Sequence, residues 1–216
     1  MNRLQLVQRL FSECDVNDTV PATTISQTGE AADMVNWIDA AWTLIQSQFK
    51  WAFLWEQPTL TVLSGTGVLA QTIPPHRYER ESCRFLVANG QRLRYIPWAA
   101  FDERYPAIDL TSTSAPNTWS IRPDNAFVVN ALVAADTAFV LQRYKNPIAM
   151  TADTDIPALD VEHHVMIVWR AMMYYAQHEE AGAIYRTGKA NYNECLELLG
   201  LTATPDWSFG PALLSC

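Results

Sequence analysis

A chain of 216 residues, 49% hydrophobic and 18% charged, holds enough apolar material for one large domain or for a helical body carrying an inserted module. Its net charge of −8, from 23 acidic against 15 basic residues, argues against a protein that grips nucleic acid by neutralising phosphates. No run approaches the roughly 20 apolar residues of a membrane span, and the N-terminus lacks a signal peptide's basic-then-apolar pattern, so synthesis in a reducing cytoplasm is expected.

Asn2 reads as an N-cap, after which Leu4, Val7, Phe11 and Cys14 repeat at helical spacing. That helix stops at Asp15 to Asp18, where short polar side chains compete for the backbone. Residues 19–27 read as an extended connection. Thr28 is placed as the N-cap of a second helix, with Glu30 and Asp33 in its first turn to suit the dipole. The stripe Met34, Ile38, Trp42, Ile45 and Phe49 carries that helix to about Lys50.

After Pro58 the period changes to two. Leu60 and Val62 alternate with threonines, and Gly65-Thr66-Gly67 turns the chain into a strand from Val68 to Ile73. Arg84 to Ala88 and Gln91 to Ile96 flank Asn89-Gly90, the signature of a type I′ hairpin. Trp98 to Tyr105 reads as a short helical turn or loop, and Thr111 to Ser114 as a surface loop. Trp119 to Ile121, Ala126 to Val133 and Ala138 to Tyr144 complete six or seven strands. Pro147 to Ile156 leads back to helix, with Pro157 suited to a first helical turn.

The stretch from Asp160 to Gly200 carries the strongest pattern. Val161, Val165, Val168, Met172 and Tyr175 form one stripe, and Tyr185, Tyr192, Cys195, Leu196 and Leu199 form a second. His178 to Gly182 lies between them, predicting either a helical hairpin or one long helix bent at Gly182. The expected fold is α+β. A helical bundle comes from both ends of the chain (1–56 and 157–200), with an inserted antiparallel β module (57–156) and an extended C-terminal arm (201–216).

Residues that carry chemistry are sparse. No glycine-rich phosphate loop or G-x-S-x-G elbow occurs. In Glu162-His163-His164, neighbours on a helix diverge by about 100°, so the triplet reads as a helix start with partly exposed histidines and not as metal ligands. Glu179-Glu180 reads as a solvated turn. Trp51, Trp55, Trp98 and Trp119 suit core or subunit contact better than a sugar platform, and eight Trp in all suggest interfaces. Cys14, Cys83, Cys195 and Cys216 lack C-x-x-C spacing; free thiols are the default, with two disulfides the alternative. Arg77, Arg80, Arg84, Arg92 and Arg94, interleaved with Glu79 and Glu81, read as a solvated strand face, the alternative being a phosphate-tracking patch. No catalytic, cofactor-binding or metal residue is expected.

The segment Thr24 to Glu30, running into Val35 to Trp42 and Ile45-Gln46, resembles the opening of tailed-phage head–tail adaptor proteins, also called connector or head-completion proteins. The resemblance resumes at Pro116 to Trp119, Leu141 to Tyr144 and Ile156 to Leu159. It continues through His163 to Ala176 into Tyr192 and Leu196. It implies a virion protein of the neck: about a dozen copies ringed beneath the portal protein, receiving a distal tail protein and extending the channel for double-stranded DNA. Relatives commonly reach the portal with the C-terminal segment. An acidic channel wall suits this role, since it does not hold the passing duplex. The alternatives implied are another tail subunit (tail tube or fibre attachment) or a cell-wall hydrolase, for which no residues here match. In the arm, Trp207, Phe209, Leu213 and Leu214 surround Pro205, Gly210 and Pro211, which bar a helix. Left wet, each large side chain forgoes roughly 1.5–3 kcal/mol of burial. The expected role is docking on the portal or a neighbouring subunit, the alternative being folding back over its own helices.

Overall fold

The computed structural model describes residues 1–16, 19–72, 84–87, 92–105, 115–124 and 126–203. The chain divides into two compact units: Met1–Leu54 together with the described residues from Pro147 onward, and Trp55–Asn146.

In the helical unit, α1 (Arg3–Glu13) opens with a reciprocal cap. The Asn2 side chain accepts from the Gln5 N–H at 2.9 Å, and the Gln5 side chain accepts from the Asn2 N–H at 2.9 Å. The buried stripe is Arg3, Leu6, Val7, Leu10 and Phe11, followed by Cys14. Leu4, expected on it, is only half-buried. Helix α2 (Glu30–Gln48) is capped one residue later than expected, at Gly29 and not Thr28. Gly29 caps it at φ +61°, a conformation that glycine adopts without strain, and its carbonyl accepts from Ala32 and Asp33. The stripe Met34, Ile38, Trp42 and Ile45 is buried, but Phe49 lies past the helix end and is 45% exposed. Gln46 takes an inward place instead. Its amide brackets the Ile148 backbone, donating to the carbonyl at 3.1 Å and accepting from the N–H at 2.8 Å. A buried amide needs such partners.

Residues 147–156, expected in the β module, belong to the helical unit for the same reason. Trp42 Nε1 donates to the Ile148 carbonyl at 2.7 Å, and the N–H groups of Arg3 and Leu4 donate to the carbonyls of Asp155 and Asp153. A 3₁₀ turn (Val161–His163) then leads into the last two helices. In chain order α3 is Trp98–Arg104, in the other unit, and these two are α4 (Val165–His178) and α5 (Gly182–Ala203). Pro157 therefore precedes the helix and does not occupy its first turn. Val161, expected on the stripe, is 73% exposed. The buried face of α4 comprises Met166, Ile167, Val168, Ala171, Met172, Met173 and Ala176. It is broad because α4 packs against α1, α2 and α5 together. Of the two readings for 178–182, the hairpin is the one formed: Glu180 sits at φ +54° and reverses the chain. Helix α5 runs to Ala203, past the expected end at Gly200.

In the second unit, β1 (Trp55–Glu56) and β2 (Thr59–Val62) both pair antiparallel with β8 (Thr137–Tyr144). Trp55 faces Tyr144 and Thr59 faces Val140, so the two keep one register and form a single strand interrupted at Gln57-Pro58. The other edge of β8 takes β4 (Arg84–Val87). A second sheet runs β3 (Val68–Thr72), β7 (Ala126–Val129), β6 (Thr118–Ile121), β5 (Arg94–Tyr95), with β5 parallel to β6. Of the two arms expected to flank Asn89-Gly90, Arg84–Val87 lies in the first sheet and Arg94–Tyr95 in the second. The Asn-Gly pair itself lies outside the described residues. So does the loop 111–114. Leu60, Val62, Phe139 and Leu141 from one sheet share a core with Trp119, Phe127 and Val129 from the other. The α+β class stands.

Candidate functional site

Trp207, Phe209, Leu213 and Leu214 lie outside the described residues. The other singled-out residues divide sharply. His163 and His164 are buried at 7% and 1% exposure, which corrects the expectation of partly exposed histidines. The pair sits at the 3₁₀ turn where α4 meets the chain start. His164 Nδ1 lies 2.6 Å from the Met1 amino group and Nε2 lies 2.9 Å from the Leu159 carbonyl. Burial, above all, holds its pKa below the ordinary histidine value. Glu162 is exposed, with its carboxylate 3.5 Å from His163 Nε2. His178 and Glu179 pair at 2.9 Å on the surface, with the His178 ring 5.5 Å from that of Trp37. Among the described residues no group of three or more His, Cys, Asp or Glu is placed to share a metal ion.

The two described thiols, Cys14 and Cys195, are unsuited to nucleophilic work, whereas Cys83 and Cys216 lie outside the described residues. Burial, reinforced by Glu13 and Glu30, pushes Cys14 up to about 12, and burial also raises Cys195; both are free. Of the tryptophans, Trp42, Trp51 and Trp119 are core, whereas Trp55 is 45% exposed. Trp51 donates its indole N–H to the Ile45 carbonyl at 2.6 Å and stacks on Phe53.

What the helical unit does present is an ordered loop surface. Arg3, only 7% exposed, ties it down. Its guanidinium holds Asp39 through two contacts (3.1 and 2.6 Å), Thr24 Oγ1 at 2.9 Å and the Thr151 carbonyl at 3.0 Å. Asp153 accepts from the Thr23 hydroxyl and from both the N–H and the hydroxyl of Thr24, and Asp155 accepts from the N–H groups of Thr151 and Ala152. Those donors keep both carboxyls below the usual carboxylate range. Next to this knot a pocket of about 310 Å³ opens between Trp42, Ile148, Met150, Asp155 and Ile156. Ile148 is 43% exposed, Ile156 68% and Ile25, in the connection bonded to Asp153, 50%. Rigid loops that hold isoleucines in water suit contact with another protein. Sequence reading missed this surface; the signal was the apolar side chains inside segments 19–27 and 147–156, which read only as connections.

An α+β subunit with a buried His163-His164 pair and a braced apolar loop surface has the makings of an assembly component. Residues 1–212 match the family model described as SU10 adaptor protein, and the chain belongs to that family. It is thus a phage head–tail adaptor, a structural component of the virion that interacts with other head and tail proteins. No curated protein matches the chain. No helix among the described residues is long and apolar enough to cross a membrane.

Proposed function

We propose that this chain forms the ring directly below the portal, joining the phage head to its tail and extending the DNA channel. The family match over residues 1–212 is the observation that carries the reading. The net charge of −8 supports it, because an acidic wall lets the duplex pass without specific binding. About twelve copies would close the ring, one side meeting the portal and the other a distal tail protein. Each subunit would join the next through unlike faces, as closed rings require. The helical unit then supplies the body, the β unit an inserted module, and the arm from 201 onward a docking element through Trp207, Phe209, Leu213 and Leu214.

The test mixes purified subunit with its portal and counts copies by native mass spectrometry and electron microscopy. A closed ring with the portal's rotational symmetry is expected. A stable, discrete dimer indifferent to portal would overturn the reading.

A further inference from the structure

Arg170, on α4, is a guanidinium without an acid among the described residues. Its Nε is buried and has no hydrogen-bond partner. Nη1 reaches only the Met173 sulfur at 3.6 Å, and Nη2 reaches the Tyr174 hydroxyl at 3.4 Å, a long contact. Neither is a strong acceptor for a group that carries five donors. Two rings hold the guanidinium in place: its carbon lies 4.8 Å from the centroid of Tyr174 and 5.8 Å from that of Tyr192 on α5. Tyr192 is itself pinned, donating its hydroxyl to Gln48 Oε1 at 2.8 Å. Arg170 is half-buried, and among the described residues no carboxylate forms an ion pair with it.

With Nε buried, the Nη1–Nη2 edge of the half-buried fork is what remains for a bidentate acid. Aromatic flanks fix the plane of the fork, so little conformational freedom is lost on pairing. A leucine or methionine would fill the same cleft without desolvating a charge. A charge kept there with its best donors unused has its partner elsewhere.

We infer that Arg170, framed by Tyr174 and Tyr192, receives a carboxylate from a second copy of this chain. The inference rests on the ring reading above. Charge complementarity selects the occupant: each copy brings 23 acidic against 15 basic residues, so an unpaired cation on one meets carboxylates in excess on the next. Asp102 and Glu103 on α3 are exposed and form no ion pair among the described residues. They lie in the other unit from Arg170.

The experiment uses Arg170→Lys, which places an amine where the guanidinium stood. Isotope-labelled and unlabelled copies of this variant are mixed, assembled on portal and treated with a zero-length carbodiimide, which joins amines only to carboxylates in contact. Mass mapping should show the introduced amine at position 170 coupled to an Asp or Glu of the other isotopic type. Arg170→Met should leave the thermal midpoint of the free subunit unchanged and lower ring occupancy about tenfold. Coupling of that amine to its own chain or to the portal would overturn the inference, as would normal rings from Arg170→Met or a lowered midpoint that marks a packing role. Rings absent with the wild-type chain would instead sink the ring reading itself. The wild-type arm thus separates the two failures.

Discussion

Gly188 marks the closest approach of α4 and α5, and adding a single methyl group there tests how rigid the hairpin is. A Cβ at this position would lie 3.0 Å from the Trp169 carbonyl oxygen, 3.2 Å from Met172 Cβ and 3.4 Å from Met173 Cγ. The first two neighbours are backbone or directly attached to it, so no rotamer change relieves them. Overpacking of this kind costs about 1–3 kcal/mol, and the upper half of that range applies. Against it, alanine favours the helix over glycine by about 1 kcal/mol. Gly188→Ala should therefore destabilise by about 1–2 kcal/mol, lowering the melting midpoint by roughly 2–8 °C for a protein of this size. Gly200→Ala, on the same helix, is the control. A Cβ there meets nothing within 4 Å, so only the propensity gain of about 0.5–1 kcal/mol remains. Thermal melts followed by far-UV circular dichroism should move in opposite directions for the two variants. Stabilisation by Gly188→Ala would mean that α4 and α5 slide apart freely, and the close-contact argument would fail.

Asp39→Ala should destabilise by about 2 kcal/mol, below the full range for a broken buried pair because Asp39 is one-third exposed. Chemical denaturation measures it, and adding Arg3→Met should recover part of the loss; no recovery would show that the ion pair is not the cause. His164 takes a proton in the unfolded chain near 6.5, whereas the folded ring resists it. Stability should thus be full above that pH and fall as pH drops through the lowered folded value. His164→Gln should flatten this slope in denaturant midpoints measured between pH 7 and 5, and an unchanged slope would assign it to other groups. Deleting residues 204–216 should leave the midpoint of the free subunit nearly unchanged while abolishing capture by portal-bearing heads. Unfolding on deletion would place the arm in the core.

The helices were legible because their signals are local: the Asn2 cap, the α2 stripe and the break at 178–182 each need only neighbouring residues, though the choice there between hairpin and bent helix did not follow from them. What was not legible depends on distant partners. The interior place of Gln46 is set by the Ile148 backbone, 102 residues away. The pairing of Arg84–Val87 with β8 and of Arg94–Tyr95 with β6 likewise depends on strands far along the chain. Val161 kept the spacing of the α4 stripe but lies in the 3₁₀ turn, where a 3.6-residue period no longer applies. Arg170 was visible only as part of a resemblance. Its isolation from every described carboxylate is a property of three-dimensional surroundings, which periodicity does not encode.

Trp55 and Tyr144 face each other across β1 and β8, so the first and last strands of the β unit run side by side. Facing Cα atoms in such a pair are about 4.5–5.5 Å apart, and the Lys145 ammonium adds a 3.6 Å contact to Glu56. The two ends of the β unit thus lie next to each other. The helical unit closes separately, through Arg3 on Asp39 and Thr151 and through Gln46 on Ile148. Its core helices α1, α2, α4 and α5 pack on one another. A Gly-Ser linker of about four residues in place of residues 55–146 should then bridge the paired ends and leave a helical protein that melts cooperatively. A chain with coil-like circular dichroism would show that the helices need the β unit to fold, and the module would have to be read as part of one core. If the shortened protein folds, it separates two roles in a single experiment: portal capture that survives belongs to the helical unit and its arm, and capture that is lost requires the β unit.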